Sequence, residues 1–183
     1  EPDILINNNA GPQPGKLADW EHDAWIEALE SNMLAPALLI RAVVPGMARR
    51  QKGAVINFGS LNGHIGVVSE VVYGCAKAAI LHYTRCLAAQ LRPYDVTVNS
   101  IAPGGTRTGR FLGTGQGSDP KRMVTEGTLD RVATVDEVAR TVAIFAGPAG
   151  AFVTGQTLRV DGGGQLWPKA KSLQVDVDPY SFL

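Results

Sequence analysis

The sequence has little of what would assign it to several large protein classes. Only two cysteines occur in 183 residues, and Cys75 and Cys86 lie eleven positions apart in one helical pattern. That is about three helical turns, too far for a disulfide, so a reducing, cytoplasmic location is expected. The net charge is zero, which gives no general attraction to nucleic acid or membrane. We also see no 18-residue apolar run and no side-chain cluster with metal-ligand spacing.

What is present predicts one α/β domain. Hydrophobic residues make up 45% and charged residues 19%, which is typical of a globular chain that buries a core. Short apolar or β-rich runs at 4–6, 54–58 and 96–101 predict parallel strands, because longer helical patterns separate them. One helix is expected within 19–52, disturbed near Pro45. Another is expected over 136–145.

The residues most indicative of chemistry are Ser60, Tyr73 and Lys77. Tyr73 and Lys77 are four residues apart in an Ala-rich segment, so on a helix they project from the same face. A free phenol has a pKa of about 10, and a neighbouring ammonium lowers it. A serine hydroxyl at the end of the 54–58 strand could hold a carbonyl or alcohol oxygen. The trio predicts proton transfer between an alcohol and a ketone.

Asn32 is a further candidate, because Pro36 follows it by four residues. Proline lacks an N–H, and its ring clashes with the carbonyl four positions earlier. We therefore expect a kink that frees the Asn32 carbonyl to bind a water molecule.

Ser60 followed by Tyr73-Gly-Cys-Ala-Lys77 resembles the short-chain dehydrogenase/reductase family, and 3-oxoacyl-ACP reductases within it. Segments that resemble the family's other motifs follow in family order: Asn-Asn-Ala-Gly at 8–11, Pro-Gly-Gly-Thr-Arg-Thr at 103–108 and Asp-Gly-Gly at 161–163. The resemblance covers 3–163.

The resemblance implies a Rossmann-type doubly wound parallel sheet that lacks its first strands and helices. Residues 1–164 are then the C-terminal two thirds of the domain, and 165–183 are a C-terminal extension. The family's Gly-rich phosphate loop would precede Asp3. We expect the Gly-rich stretch within 109–134 to be a mobile flap over the substrate rather than that loop, because no strand immediately precedes it.

The resemblance also implies the roles of individual residues. Catalytic roles fall to Ser60, Tyr73, Lys77 and Asn32. Contacts with NAD or NADP fall to Asn8, Asn9, Ala10, Gly11, Tyr73, Lys77, Pro103, Gly104, Thr106 and Thr108.

The implied function is hydride transfer between NAD(P)(H) and a carbonyl or secondary alcohol. The expected partners are that small molecule and further copies of the chain, in a homodimer or homotetramer. Two alternatives remain open. One is a non-catalytic, truncated remnant that serves as an oligomerising or binding module. The other is an isomerase or dehydratase that uses the same tyrosine.

Overall fold

A computed structural model describes residues 1–67, 69–109, 129 and 131–163. Most of the expected flap and the 165–183 extension lie outside these residues. The described strands are β1 (Ile4–Asn7), β2 (Gly53–Phe58), β3 (Val96–Pro103) and β4 (Thr157–Val160). The helices are α1 (His22–Leu29), α2 (Ala35–Arg50), α3 (Val71–Leu91) and α4 (Val135–Ala146), with a π turn, Glu30–Leu34, between α1 and α2.

The four strands form one parallel sheet in the order β1-β2-β3-β4. Helices α2 and α3 cover one face and α4 covers the other, so the predicted α/β class and parallel pairing are confirmed. The first core contains Ile40, Val44, Met47, Val55, Leu87, Ala88, Leu91, Val96 and Val98. The second contains Ala54, Ile56, Ile101, Val138, Val142 and Phe145.

Strand β1 lies at an edge of this sheet, and its α4-side residues Ile4 and Ile6 are 43% and 48% exposed. Asn7 belongs to the strand and pairs with Asn57 of β2. The Asn-rich turn therefore starts one residue later than the end of the apolar run suggests.

Two predictions about proline have opposite outcomes. A π turn lies where a kink was expected at Asn32, and in it the Ala35 N–H donates to the Glu30 carbonyl. The freeing of the Asn32 carbonyl stays a prediction. The disturbance expected at Pro45 is wrong, because α2 continues to Arg50. Gly46 and Met47 are buried after that proline, and the packing of Met47 in the first core holds the last turns in place.

The continuous helical stretch His22–Arg50 contains a window with a mean hydropathy of 1.3. By length and composition alone it could cross a membrane, although it contains no uninterrupted run of 18 apolar residues. This is weak evidence, because core helices of soluble proteins meet the same test. One third of the window (33%) is buried inside the protein, where Ile40 and Val44 pack on the sheet.

Candidate active site

The candidate residues follow the carboxyl ends of the parallel strands, where ligands bind in open α/β sheets. Asn8 follows β1, Ser60 lies two residues beyond β2, and Gly104 follows β3. Tyr73 and Lys77 come from the first turns of α3, the helix after β2. The topology therefore brings segments that are far apart in sequence to the same edge of the sheet.

Tyr73 and Lys77 share one face of α3, as the four-residue spacing predicts. The Lys77 Nζ lies 5.6 Å from the centroid of the Tyr73 ring. Lys77 is 2% exposed, and its Nζ donates a hydrogen bond to the Phe58 carbonyl at 2.8 Å. Burial lowers the pKa of Lys77 from 10.5 to about 8, because a low-dielectric surrounding disfavours the charged form.

Ser60 is buried at the start of a short 3-10 turn, Leu61–Gly63. Its Oγ accepts a hydrogen bond from the Asn62 N–H at 3.2 Å. A Cβ atom added at Gly74 would meet the Asn62 carbonyl oxygen at 3.0 Å. The turn that Ser60 begins thus packs directly against α3 beside Tyr73.

Asn32 lies in the π turn and is 1% exposed. Its Nδ2 donates to the Ala28 carbonyl at 3.1 Å and to the Ser31 Oγ at 2.9 Å. Its Oδ1 is buried and has no hydrogen-bond partner among the described residues. Such an oxygen costs free energy unless it bonds water or a ligand, and π turns often occur at functional sites.

The segment after β1 contacts both the π turn and α3. The Asn9 Nδ2 donates to the Ser31 carbonyl at 2.8 Å, while Asn8, Asn9 and Ala10 are exposed. Gly11 approaches Tyr73 so closely that a Cβ atom there would overlap the ring. The Asn-Asn-Ala-Gly segment therefore lies beside the candidate tyrosine.

A buried polar chain near the site has no counterpart among the sequence predictions. The Asn7 Nδ2 donates to the Asn57 Oδ1 at 2.9 Å, and the Asn57 Nδ2 donates to the Thr84 Oγ1 at 3.0 Å. The Thr84 hydroxyl donates to the Ile80 carbonyl at 2.9 Å. The three side chains come from β1, β2 and α3. No local sequence signal shows this pairing, because it depends on the register of β1 and β2.

The Pro-Gly segment leaves β3 alongside β4. The Gly104 N–H donates to the Val160 carbonyl at 3.0 Å, and a Cβ atom at Gly104 would meet Asp161 at 3.0 Å. The Thr106 Oγ1 donates to the Gly104 carbonyl at 3.2 Å. Pro103 is half-buried and Thr108 is exposed. The backbone after Pro103 is thus fixed against the Asp-Gly-Gly segment.

Comparison with known proteins identifies the family. The family model described as Enoyl-(Acyl carrier protein) reductase matches residues 1–165. The 3-oxoacyl-[acyl-carrier-protein] reductase FabG of Vibrio cholerae is 33% identical over 163 residues, which are 88% of this chain and 66% of that protein. A solved short chain dehydrogenase/reductase family protein is 37% identical with a TM-score of 0.82, over 90% of this chain and 68% of the other. The chain belongs to the short-chain dehydrogenase/reductase family.

A 4-hydroxyisoleucine dehydrogenase mutant complexed with NADH and succinate is similar to this short-chain dehydrogenase/reductase. It is 25% identical with a TM-score of 0.83, over 91% of this chain and 69% of the other. The chain spans just under two thirds of the length of the FabG protein. Family membership and the Rossmann-type fold expected from the sequence are confirmed.

Among the described residues, no group of three or more His, Cys, Asp or Glu side chains could hold a metal ion.

Proposed function

We propose that the protein is an oxidoreductase that transfers a hydride between NAD(P)(H) and a carbonyl or secondary-alcohol substrate. The observation that carries the proposal is the buried Lys77 Nζ, 5.6 Å from the ring centroid of Tyr73. A cation at this position stabilises a phenolate. Lowering a phenol pKa by about three units takes roughly 4 kcal/mol of differential interaction. A buried ammonium supplies more of that free energy than a solvated one would.

In this proposal Tyr73 is the general acid and base. In the direction of reduction it donates its phenolic proton to the substrate oxygen, and in the direction of oxidation it accepts that proton. The Ser60 hydroxyl donates a hydrogen bond to the same oxygen. Asn32 holds a water molecule that returns the proton, and its buried, unpaired Oδ1 supports this role.

The residues present fit a nicotinamide cofactor. When bound, the cofactor supplies or accepts the hydride. An ammonium has three donors, and the Phe58 carbonyl accepts one from Lys77, so Lys77 can also bind ribose hydroxyls. Asn8, Asn9, Ala10 and Gly11 would line the cofactor's adenosine side. Pro103, Gly104, Thr106 and Thr108 would contact the nicotinamide amide and the phosphates.

The division of the chain and its assembly are also proposals. We propose that 1–164 are the C-terminal two thirds of the domain, and the 66% coverage of FabG supports this division. We propose that copies of the chain pair through α2 and α3. Leu38 and Leu39 on α2 are 52% and 53% exposed, and covering them would remove apolar surface from water. Sedimentation of the purified protein as a monomer would contradict that pairing.

Isotope transfer tests the reaction. NADH and NADPH that carry deuterium at either face of nicotinamide C4 are incubated with the full-length protein and ethyl acetoacetate. This small ester has a 3-oxo group, as does the 3-oxoacyl substrate in the name of FabG. The proposal predicts deuterium at the carbinol carbon of the product. Tightly bound NAD with no transfer to a panel of ketones would instead favour the isomerase or dehydratase alternative.

A further inference from the structure

Gly11 lies against the Tyr73 ring, and the fit leaves no space for a side chain. The atoms nearest to a Cβ built at Gly11 are Cδ2, Cε2 and Cγ of Tyr73. The first two would be closer than 3.0 Å, a separation that real Cβ atoms do not show. Gly11 is not among the glycines with positive φ, which in the described residues are Gly155, Gly162 and Gly163. The ring, rather than the backbone conformation, therefore accounts for glycine here.

The loop that carries Gly11 is fixed on both sides. The Asn9 Nδ2 donates to the Ser31 carbonyl at 2.8 Å, and the Gly15 N–H donates to the Ser69 carbonyl at 2.9 Å. Ser69 precedes Tyr73 by four residues. These bonds hold the loop against the π turn and against the segment just before α3, so a side chain at position 11 would displace the ring more readily than the loop.

We propose that Gly11 is a positioning residue for Tyr73. Its bare α carbon is the surface against which the phenol ring is held, with the ring centroid 5.6 Å from the Lys77 Nζ. This inference rests on the proposed function, in which Tyr73 transfers the proton. It differs from the role that the family resemblance implies for Gly11, which is contact with the cofactor.

Tyrosine NMR on the full-length protein tests the contact without turnover. The protein is labelled at tyrosine Cζ, and the Tyr73 resonance is assigned by its loss in Tyr73→Phe. In Gly11→Ala without cofactor, the Tyr73 resonance and its pH midpoint are expected to move. Gly66→Ala is the control, because nothing lies within 4 Å of a Cβ there. It should leave the Tyr73 resonance in place.

Kinetics and binding separate the two roles. A misplaced catalytic group is expected to cost about tenfold to a hundredfold in kcat, a loss that saturating NADH or NADPH does not restore. A Tyr73 resonance that does not move in Gly11→Ala would overturn the inference. So would an unchanged kcat with weakened cofactor binding.

A double-mutant cycle of unfolding free energies tests the contact even if Gly11→Ala folds poorly. In the Tyr73→Ala background no side-chain atom beyond Cβ remains to clash, so Gly11→Ala should cost much less stability than it does with the ring present. Equal costs in both backgrounds would overturn the inference. None of these structural readouts needs turnover. Full activity of Tyr73→Phe would refute the proposed function while leaving the Gly11 contact intact.

Discussion

Replacing Lys77 by methionine should remove a specific dependence of stability on pH. Burial lowers the pKa of Lys77 from 10.5 to about 8 in the folded chain. Below about pH 8 both the folded and the unfolded chain carry the proton, so folding bears the full cost of burying the charge. Between about pH 8 and 10.5 the folded chain loses the proton while the unfolded chain keeps it. Stability therefore rises with pH in this window.

The size of this change in stability follows from the pKa shift of Lys77. Each pH unit in the window adds up to roughly 1.4 kcal/mol to the free energy of unfolding, and the total is about 3 kcal/mol. Methionine keeps the apolar stem and removes the charge. It also leaves the Phe58 carbonyl without the hydrogen bond from Nζ, so the prediction concerns the pH slope and not the stability at a single pH.

Urea unfolding at closely spaced values from pH 7 to pH 10.5 measures that slope. The wild type should gain stability relative to Lys77→Met across the window. Lys52→Met, a change at an exposed lysine, should follow the wild type. Parallel curves for the wild type and Lys77→Met would refute the assignment of a buried, charged lysine beside Tyr73.

Two further predictions concern parts of the structure away from the reacting atoms. Thr84→Val leaves the buried Asn57 amide without its acceptor and should cost about 1–3 kcal/mol by urea unfolding. Thr141→Val, which loses only the hydrogen bond from its hydroxyl to the Glu137 carbonyl in the same helix, should cost clearly less. Equal costs for the two variants would contradict the importance of the buried polar chain that ends at Thr84. Hydrogen bonds from Arg131 lower the pKa of Glu137 to about 2. The ionised Glu137 carboxylate should therefore stabilise the folded protein above about pH 4.5, and this contribution should be lost toward pH 2. Glu137→Gln should lack this change with pH.

Local sequence rules predicted much of the fold and the central pair of the site. The runs at 54–58 and 96–101 became buried strands because β-rich apolar residues suit a covered parallel sheet. Tyr73 and Lys77 meet because helical geometry brings residues four apart together. The π turn around Asn32 lies where the steric demands of Pro36 predicted an irregular helix.

Contacts between distant segments could not be predicted in this way. Asn7 and Asn57 are fifty residues apart, and their bond depends on strand register. The approach of Gly11 to Tyr73 depends on where a loop crosses the start of α3. The bond from Lys77 to the Phe58 carbonyl depends on how α3 packs on β2. Pro45 was misjudged because the packing of Met47 outweighs a local helix penalty.

The most direct test of the account is Tyr73→Phe in the full-length protein, a change that removes one oxygen atom and keeps the ring. Oxidation of NADH or NADPH in the presence of ethyl acetoacetate is measured alongside cofactor binding. We expect turnover to be abolished while both cofactor Kd values stay close to those of the wild type. Full activity in Tyr73→Phe would contradict the assignment of Tyr73 as the proton donor, and with it the proposed reaction.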